Sequence, residues 1–594
     1  MKKQALVIAM VMLVFSGCGS DQATRGTDSI SAGENPYDVE RSFPDYFLEG
    51  RKFSTEEQGT HQAGTLPVYT VNAPNGWLGN STFIVGDDGV IVYDTSLNTD
   101  AGEHIAQEIR KVTDKPIKAI FYSHHHTDHY NGTSALVTQE QLEAGDVRIY
   151  SWDNFEEELA NEFGEILPRQ TMGVMYYGPD LLAEEDKHYH GIPGLKILGG
   201  VAGYIPPTDR LSQDTKLDIA GVSLNVFYTG GEAISEFGIH IPEFDMVIIA
   251  DEVFYGIPNV HSIRGSKPRL PQNYITAHDR VLEIEPEWLL GSHIIPIQGK
   301  ENIRSQVTKY RDATQWMWDQ SIRLINKGYT ATEIQRELAD LPDYLYSPPL
   351  TVPLYGTPLT TTPEIFGGWV SWFSGDSTDL FPSDQTLKAS RYVDMMGGRD
   401  KVIAAAKESL REGDPQFAAE LAQMLVRIDH DDQDARLVKA AALRARGYKQ
   451  VNPIMRAWYL HGAMELEGSL DPKAFYATAM KTFERILPPI EVVSSWRYLL
   501  DSEAAGEGRS VIGFRTSDTG GEVAAEIRNG VLIAHESIPE DVDAVVALTL
   551  AELNAASRPG GSFNGLDVDG DTAAVQRLDR LLDREVGGFY MHIR

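Results

Sequence analysis

At 594 residues the chain is too long for one ordinary core, and typical domain sizes imply roughly three or four domains. Its 42% hydrophobic content fits a folded, soluble protein, while 86 acidic against 52 basic side chains leave a net charge of −34. So negative a field repels phosphates, which excludes a general nucleic-acid or anionic-membrane binder and requires a local basic clamp for any anionic substrate.

Met1-Lys2-Lys3, an apolar run from Ala5 to Phe15 and then Ser16-Gly17-Cys18 form a positively charged start, a short hydrophobic segment and a small-residue cleavage site. The run is too short to span a bilayer as a helix. Cys18 is the only cysteine, and its setting resembles a bacterial lipobox with Phe15 where Leu is commoner, which implies lipidation at Cys18. An ordinary signal peptide with an incidental Cys18 is the other reading. Both predict an exported protein, in the first case a periplasmic or cell-surface lipoprotein that meets a membrane only through its anchor. One cysteine forms no internal disulfide, so packing and metal must supply the stability. Residues 1–18 are thus the leader, and 19–35, rich in Ser, Gly, Thr and Asp, a flexible tether.

Residues 36–335 alternate short β-branched or aromatic runs with helical patterns, an α/β texture. Ser81 to Asp94 predicts two strands around an Asp-Gly turn, Ala101 to Val112 a helix, and Ile117 to Tyr122 a buried strand. Residues 336–470 open with a Pro-, Gly- and aromatic-rich stretch, Pro342 to Pro382, that suits an irregular connector or an active-site cover. Helical patterns follow from Leu387 to Met464, as an interface or a plain spacer. Residues 471–594 mix strands such as Val511–Phe514 and Val523–Arg528, an Asn529-Gly530 turn and later helices, which predicts a small α+β domain.

The chemistry is concentrated in Ser123-His124-His125-His126-Thr127-Asp128-His129, directly after the buried strand. Ligands packed this closely on a turn can place His124 and His126 on one zinc, and Asp128 and His129 on a second, with open positions for water and substrate. Two ions make a hydroxide near neutral pH and steady charge on the attacking and leaving oxygens, so Asp128 is also a group of the reacting centre. His125 alternates away from the ligand face and reads as structural.

This H-x-H-x-D-H motif resembles that of the metallo-β-lactamase superfamily, and later segments are similar to its alkylsulfatase branch. The resemblance implies an αββα sandwich, followed by an α-helical dimerisation domain and a small α+β sterol-carrier-like domain. It implies further ligands at later strand ends: Glu232 in Thr229-Gly230-Gly231-Glu232, a bridging carboxylate at Asp251 with Glu252 as the alternative, and His293 in Ser292-His293-Ile294-Ile295-Pro296. Pro258-Asn259-Val260-His261-Ser262-Ile263-Arg264-Gly265-Ser266-Lys267-Pro268-Arg269 resembles the family's sulfate-binding stretch, which implies that Asn259, Arg264 and Arg269 hold the sulfate. Guanidinium forks suit two oxyanion oxygens, although a solvated basic loop has the same composition. The family has a His before the Asn where this chain has Pro258, so His261 is the nearby candidate acid. Met175-Tyr176-Tyr177-Gly178 resembles a pocket-lining segment, with Tyr177 either a donor to substrate or a core tyrosine, and His188 and His190 face solvent.

The expectation is therefore a dinuclear zinc enzyme, homodimeric, that hydrolyses alkyl sulfates such as dodecyl sulfate, small anionic amphiphiles. The rivals are another hydrolase of the same fold, acting on a phosphoester, lactam or thioester, and a non-catalytic lipid or sterol carrier with a structural zinc. Cleavage at carbon, with inversion, and cleavage at sulfur, with retention, are both open to such an enzyme.

Overall fold

The protein is described here from a computed structural model, which describes residues 36–37, 58–165, 181–183, 186, 196–197, 199–473, 487–585 and 590–593. Cys18 with the leader, Tyr177, His188 and His190 lie outside the described residues.

Seven strands form the first sheet in chain order: β1 Gly59–Gln62, β2 Val68–Asn72, β3 Ser81–Val85, β4 Val90–Tyr93, β5 Ile117–Phe121, β6 Arg148–Trp152 and β7 Asp209–Leu211. The expected hairpin is β3–β4, with Val85 opposite Val90, and from β4 onward the pairing is parallel. A second sheet holds β8 Thr215–Ile219, β9 Val222–Tyr228, β10 Phe237–Ile241, β11 Met246–Ile248, β12 Trp288–Leu290 and β13 Ile297–Gln298, with β11 and β12 parallel.

Side-chain alternation explains the layers, because successive residues of a strand point to opposite faces. In β4, Ile91 and Tyr93 join a core shared with Leu224, Phe237, Met246 and Ile248 of the second sheet, so the sheets pack face to face. Val90 and Val92 point the other way, onto Ile105 and Ile109 of the helix Thr99–Val112 and onto Phe155 and Leu159. Val247 of β11 likewise meets Ala277 and Val281 of the helix Pro271–Ile284, and Ile303, Val307 and Tyr310 of the helix Lys300–Ile325. The result is an αββα sandwich. Strands buried on both faces read as continuous apolar runs, as β4 and β11 do.

The stretch 342–382 carries the helix Pro358–Trp369 and packs on the sandwich, where Ile257 N–H donates to the Val352 carbonyl at 2.7 Å and Gly356 N–H to that of Ile257 at 2.7 Å. Helices Gln385–Met395, Arg399–Arg411, Pro415–Ile428, Gln433–Tyr448 and Pro453–Glu467 follow, with an alanine-rich core at Ala435, Ala440 and Ala463. Asp414, Asp432 and Asn452 cap the last three of these helices, and Pro415 and Pro453 stand at the first helical position of two of them. The last unit is a five-stranded sheet of β14 Ser510–Thr516, β15 Glu522–Arg528, β16 Val531–His535, β17 Ala544–Leu548 and β18 Asp567–Gly570, ordered β16-β15-β14-β17-β18. Its β15–β16 turn, Asn529-Gly530, has both residues at positive φ, 50° and 71°, as a two-residue hairpin turn requires.

Candidate metal centre and anion clamp

Four segments converge, each at the C-terminal end of a sandwich strand: residues 123–129 after β5, 229–236 after β9, 250–252 after β11 and 291–293 after β12. Strand β11 stops at Ile248, because Ala250 turns to φ 46° and starts a 3-10 turn through Asp251 and Glu252. That turn swings both carboxylates into the interior. Gly79 makes room beside the motif: at φ +87° a side chain is disfavoured, and a Cβ there would lie 2.1 Å from the Asp128 carbonyl oxygen.

Two groups of side chains can each hold a metal ion: His124, His126 and Asp251, and Asp128, His129 and His293, with ligand atoms within 4.8 Å of one another in each group. Asp251 stands between them, its Oδ2 lying 3.1 Å from His293 Nε2 and 3.6 Å from His129 Nε2. His293 Nε2 also lies 3.2 Å from Asp128 Oδ2. Burial alone would lower the His129 pKa, but Asp128, Asp251 and Asp94 hold it well above its ordinary value. Burial, reinforced by His129, pushes His124 well below its own. Buried atoms without hydrogen-bond partners among the described residues include His129 Nε2 and Asp251 Oδ1. Orphaned donor atoms inside a ring of imidazoles and carboxylates fit a pair of metal ions.

Sequence reasoning missed the groups that orient these ligands. Asp94, in the left-handed region at φ 61° just after β4, accepts from His129 Nδ1 at 2.8 Å, from Ser123 N–H at 2.8 Å and from the hydroxyls of Ser123 and Ser292 at 2.9 and 2.7 Å. One buried carboxylate thus fixes His129 and ties the β5 and β12 loops together. Ser123 Oγ also lies 3.0 Å from His124 Nδ1. Glu236 accepts from the backbone N–H groups of Glu232 at 3.0 Å and Asp251 at 2.9 Å, which joins the β9 and β11 turns. Burial, then Glu252, pushes its pKa well up, and burial lifts Glu252 to about 7. Glu252 accepts from Gly231 N–H at 2.8 Å and stands in neither of the two groups. His125 turns to Ser235, 2.8 Å from its hydroxyl.

Glu232, expected as a ligand, stands in neither of these two groups. Its Oε1 lies 2.5 Å from Arg269 Nη1 and accepts from Tyr355 at 2.6 Å, and Oε2 accepts from Tyr274 at 2.5 Å. A guanidinium and two phenols thus surround this carboxylate. Tyr274, on the helix Pro271–Ile284, and Tyr355, in the connector, had no signal in the sequence beyond being aromatic.

Arg269 is buried, and its Nη1 also donates to the Asn259 carbonyl at 2.6 Å. Its Nη2 is buried with no hydrogen-bond partner among the described residues. Arg264 is half-buried, with Nη1 donating to Ser262 Oγ at 3.5 Å. Burial, His124, Arg269 and Arg264 are among the causes that push the His126 pKa well down, so both guanidinium charges bear on the metal group. Asn259 is buried. His261 lies 3.5 Å from Glu364 Oε2, and burial together with Arg269 keeps its pKa below the ordinary value despite Glu364.

Three family profiles match the chain: one described as the metallo-beta-lactamase superfamily at residues 74–293, one as alkyl sulfatase dimerisation at 330–469, and one as alkyl sulfatase C-terminal at 478–590. A linear primary-alkylsulfatase from Pseudomonas sp. is 34% identical over 481 residues, 79% of this chain and 90% of that protein. An (R)-specific secondary-alkylsulfatase, also from Pseudomonas sp., is 27% identical over 85% of this chain and 78% of its own. Among solved structures, the stereoselective inverting sec-alkylsulfatase Pisa1 from Pseudomonas sp. superposes with a TM-score of 0.82 at 23% identity, covering 92% of this chain and 88% of that one. That superposition confirms the three-part fold.

Proposed function

Because this chain belongs to the alkylsulfatase family, within the metallo-β-lactamase superfamily, we propose that it hydrolyses alkyl sulfate esters such as dodecyl sulfate to the alcohol and inorganic sulfate, with two zinc ions per chain. The observation that carries the reading is the buried Nη2 of Arg269, a donor without a partner among the described residues, whose charge bears on His126 of the metal groups. A buried, unpartnered guanidinium nitrogen costs free energy unless an anion satisfies it.

His124, His126 and Asp251 would hold one ion and Asp128, His129 and His293 the other, with Asp251 between them. When bound, such a pair supplies Lewis acidity and lowers the pKa of water. Arg269 and Arg264, with Asn259 beside them, take the sulfate oxygens and carry the charge that grows as the ester bond breaks. Glu232 keeps Arg269 in place, and Tyr355 and Tyr274 keep Glu232 in place. His261 holds the proton for the leaving alcohol oxygen; Glu364 supports its charged form, whereas burial and Arg269 oppose it.

The exposed apolar side chains of the dimerisation-matched region, Trp372, Phe381 and Met395 among them, support a homodimer. The leader sequence and Cys18 support an exported, lipid-anchored protein. Sulfate release from dodecyl sulfate tests the activity, before and after chelation and zinc reloading, with Arg264→Ala as control. Release that follows zinc and is lost in the control is expected. No release from protein holding two zincs per chain would overturn the sulfatase reading in favour of another hydrolase of this fold.

A further inference from the structure

A cleft reaches the anion clamp from the surface, with buried His126 and Arg269 in its inner wall and Glu158, Lys267, Ile234 and Leu270 farther out. Ile234 and Leu270 are 50% and 53% exposed, unusual for large apolar residues beside a charged site. Glu158 comes from the helix Phe155–Glu165 on one sheet face, and Lys267 from the loop that carries Arg264 and Arg269. They meet at 2.7 Å, with the lysine side chain 45% exposed and the glutamate 11%.

We infer that the Glu158–Lys267 ion pair is an electrostatic gate on this cleft, which admits an anionic head group only when an apolar tail comes with it. The inference rests on the alkyl sulfate reading and assigns specificity to two residues outside the metal groups and the clamp. Lys267 is exposed whereas Arg269 is buried in the inner wall, so an incoming sulfate meets the ammonium before the guanidinium. In the closed pair Glu158 neutralises that ammonium and itself repels anions. A partly exposed pair is worth little and is therefore readily exchanged, one anion for another. The repulsion is offset only if binding adds something else, and burial of an alkyl chain against Ile234 and Leu270 is such a term. Inorganic sulfate, the product, has no tail, so the same pair favours its departure.

The two members of a gate must act with opposite signs. Lys267→Met removes the attraction and Glu158→Gln the competition, whereas loss of a merely structural contact shifts both variants the same way. Binding of decanesulfonate, a non-hydrolysable anionic amphiphile, is measured by calorimetry on the metal-loaded enzyme alongside KM and kcat for dodecyl sulfate. Lys267→Met is expected to weaken binding and raise KM by about two- to fivefold at unchanged kcat, and to flatten their dependence on ionic strength. Glu158→Gln is expected to tighten binding by a similar factor and to make inorganic sulfate a stronger inhibitor. Shifts of the same sign in both variants, or none in either, overturn the gate, as does failure of the parent enzyme to bind decanesulfonate. Opposite shifts in binding without any sulfate release would keep the gate and overturn the hydrolytic reading instead.

Discussion

Asp94 offers the sharpest test of how the metal groups are held. Its Oδ2 accepts from His129 Nδ1 and two serine hydroxyls, at 2.7 to 2.9 Å, and its Oδ1 from Ser123 N–H at 2.8 Å. Asp94→Asn keeps the volume and tolerates the left-handed φ of 61°, so the substitution isolates the carboxylate's charge and acceptor count. An asparagine oxygen in the Oδ2 place leaves its NH2 facing the Ser123 N–H, donor against donor. The flipped amide faces three partners with its NH2 instead. The better orientation loses one hydrogen bond to a charged group, about 1.5–3 kcal/mol, and leaves His129 less firmly oriented. Removal of such a supporting carboxylate typically weakens metal binding about 10- to 100-fold. Competition titration with a chromophoric chelator should show that loss mainly at one of two sites, the one containing His129, with a fall in thermal midpoint. Two sites of unchanged affinity in Asp94→Asn would refute the orienting role.

Arg269→Met should abolish turnover by about 100-fold or more and destabilise the fold by about 3–5 kcal/mol, because Glu232 is left buried without its counter-charge. Kinetics and denaturant unfolding check both numbers, and Arg269→Lys should recover stability before activity, since an ammonium lacks the fork. Burial, then Arg427, lowers the Lys439 pKa to about 7, so from pH 7 to 10 the unfolded chain binds more protons than the folded one. Stability should therefore rise with pH across that window and level off above the unfolded-state pKa of about 10.4, and Lys439→Met should flatten the rise in melting scans. Phe381→Asp with Met395→Asp, at side chains 95% and 83% exposed, should turn a dimer into a monomer by light scattering while leaving the fold intact.

The parts of this protein that were legible in the sequence are those that follow from local spacing. The apolar run of β4, the H-x-H-x-D-H turn and the Asn529-Gly530 hairpin each carry their structure within a few residues. Asp94 was visible only as the residue after a strand, since its four partners come from loops 29 to 198 residues away in sequence. The surroundings of Glu232 were hidden for a related reason. Its neighbours Tyr274 and Tyr355 lie 42 and 123 residues downstream, and nothing in Thr-Gly-Gly-Glu tells whether metal or an arginine claims the carboxylate.

Tyr355 makes the catalytic centre depend on chain outside the sandwich. Its hydroxyl donates to Glu232 at 2.6 Å, its ring stacks on Phe254 at 4.3 Å, and Phe254 lies 4.7 Å from His293. From the other side, Asn452, the cap of the helix Pro453–Glu467, donates to the carbonyls of Pro353 and Tyr355, both at 3.0 Å. The helical domain thus anchors a strap whose tip braces the arginine clamp through Glu232. Tyr355→Phe keeps the ring stacking and removes one donor from Glu232. Metal stoichiometry should therefore be unchanged, while KM for an alkyl sulfate rises severalfold as Arg269 loosens, by about the 1.5–3 kcal/mol of a hydrogen bond to a charged group at most. Asn452→Ala, which touches neither metal nor substrate, should move KM in the same direction if the strap is what matters. An Asn452 variant with parental kinetics and an impaired Tyr355→Phe would confine the effect to the phenol and refute the coupling between domains.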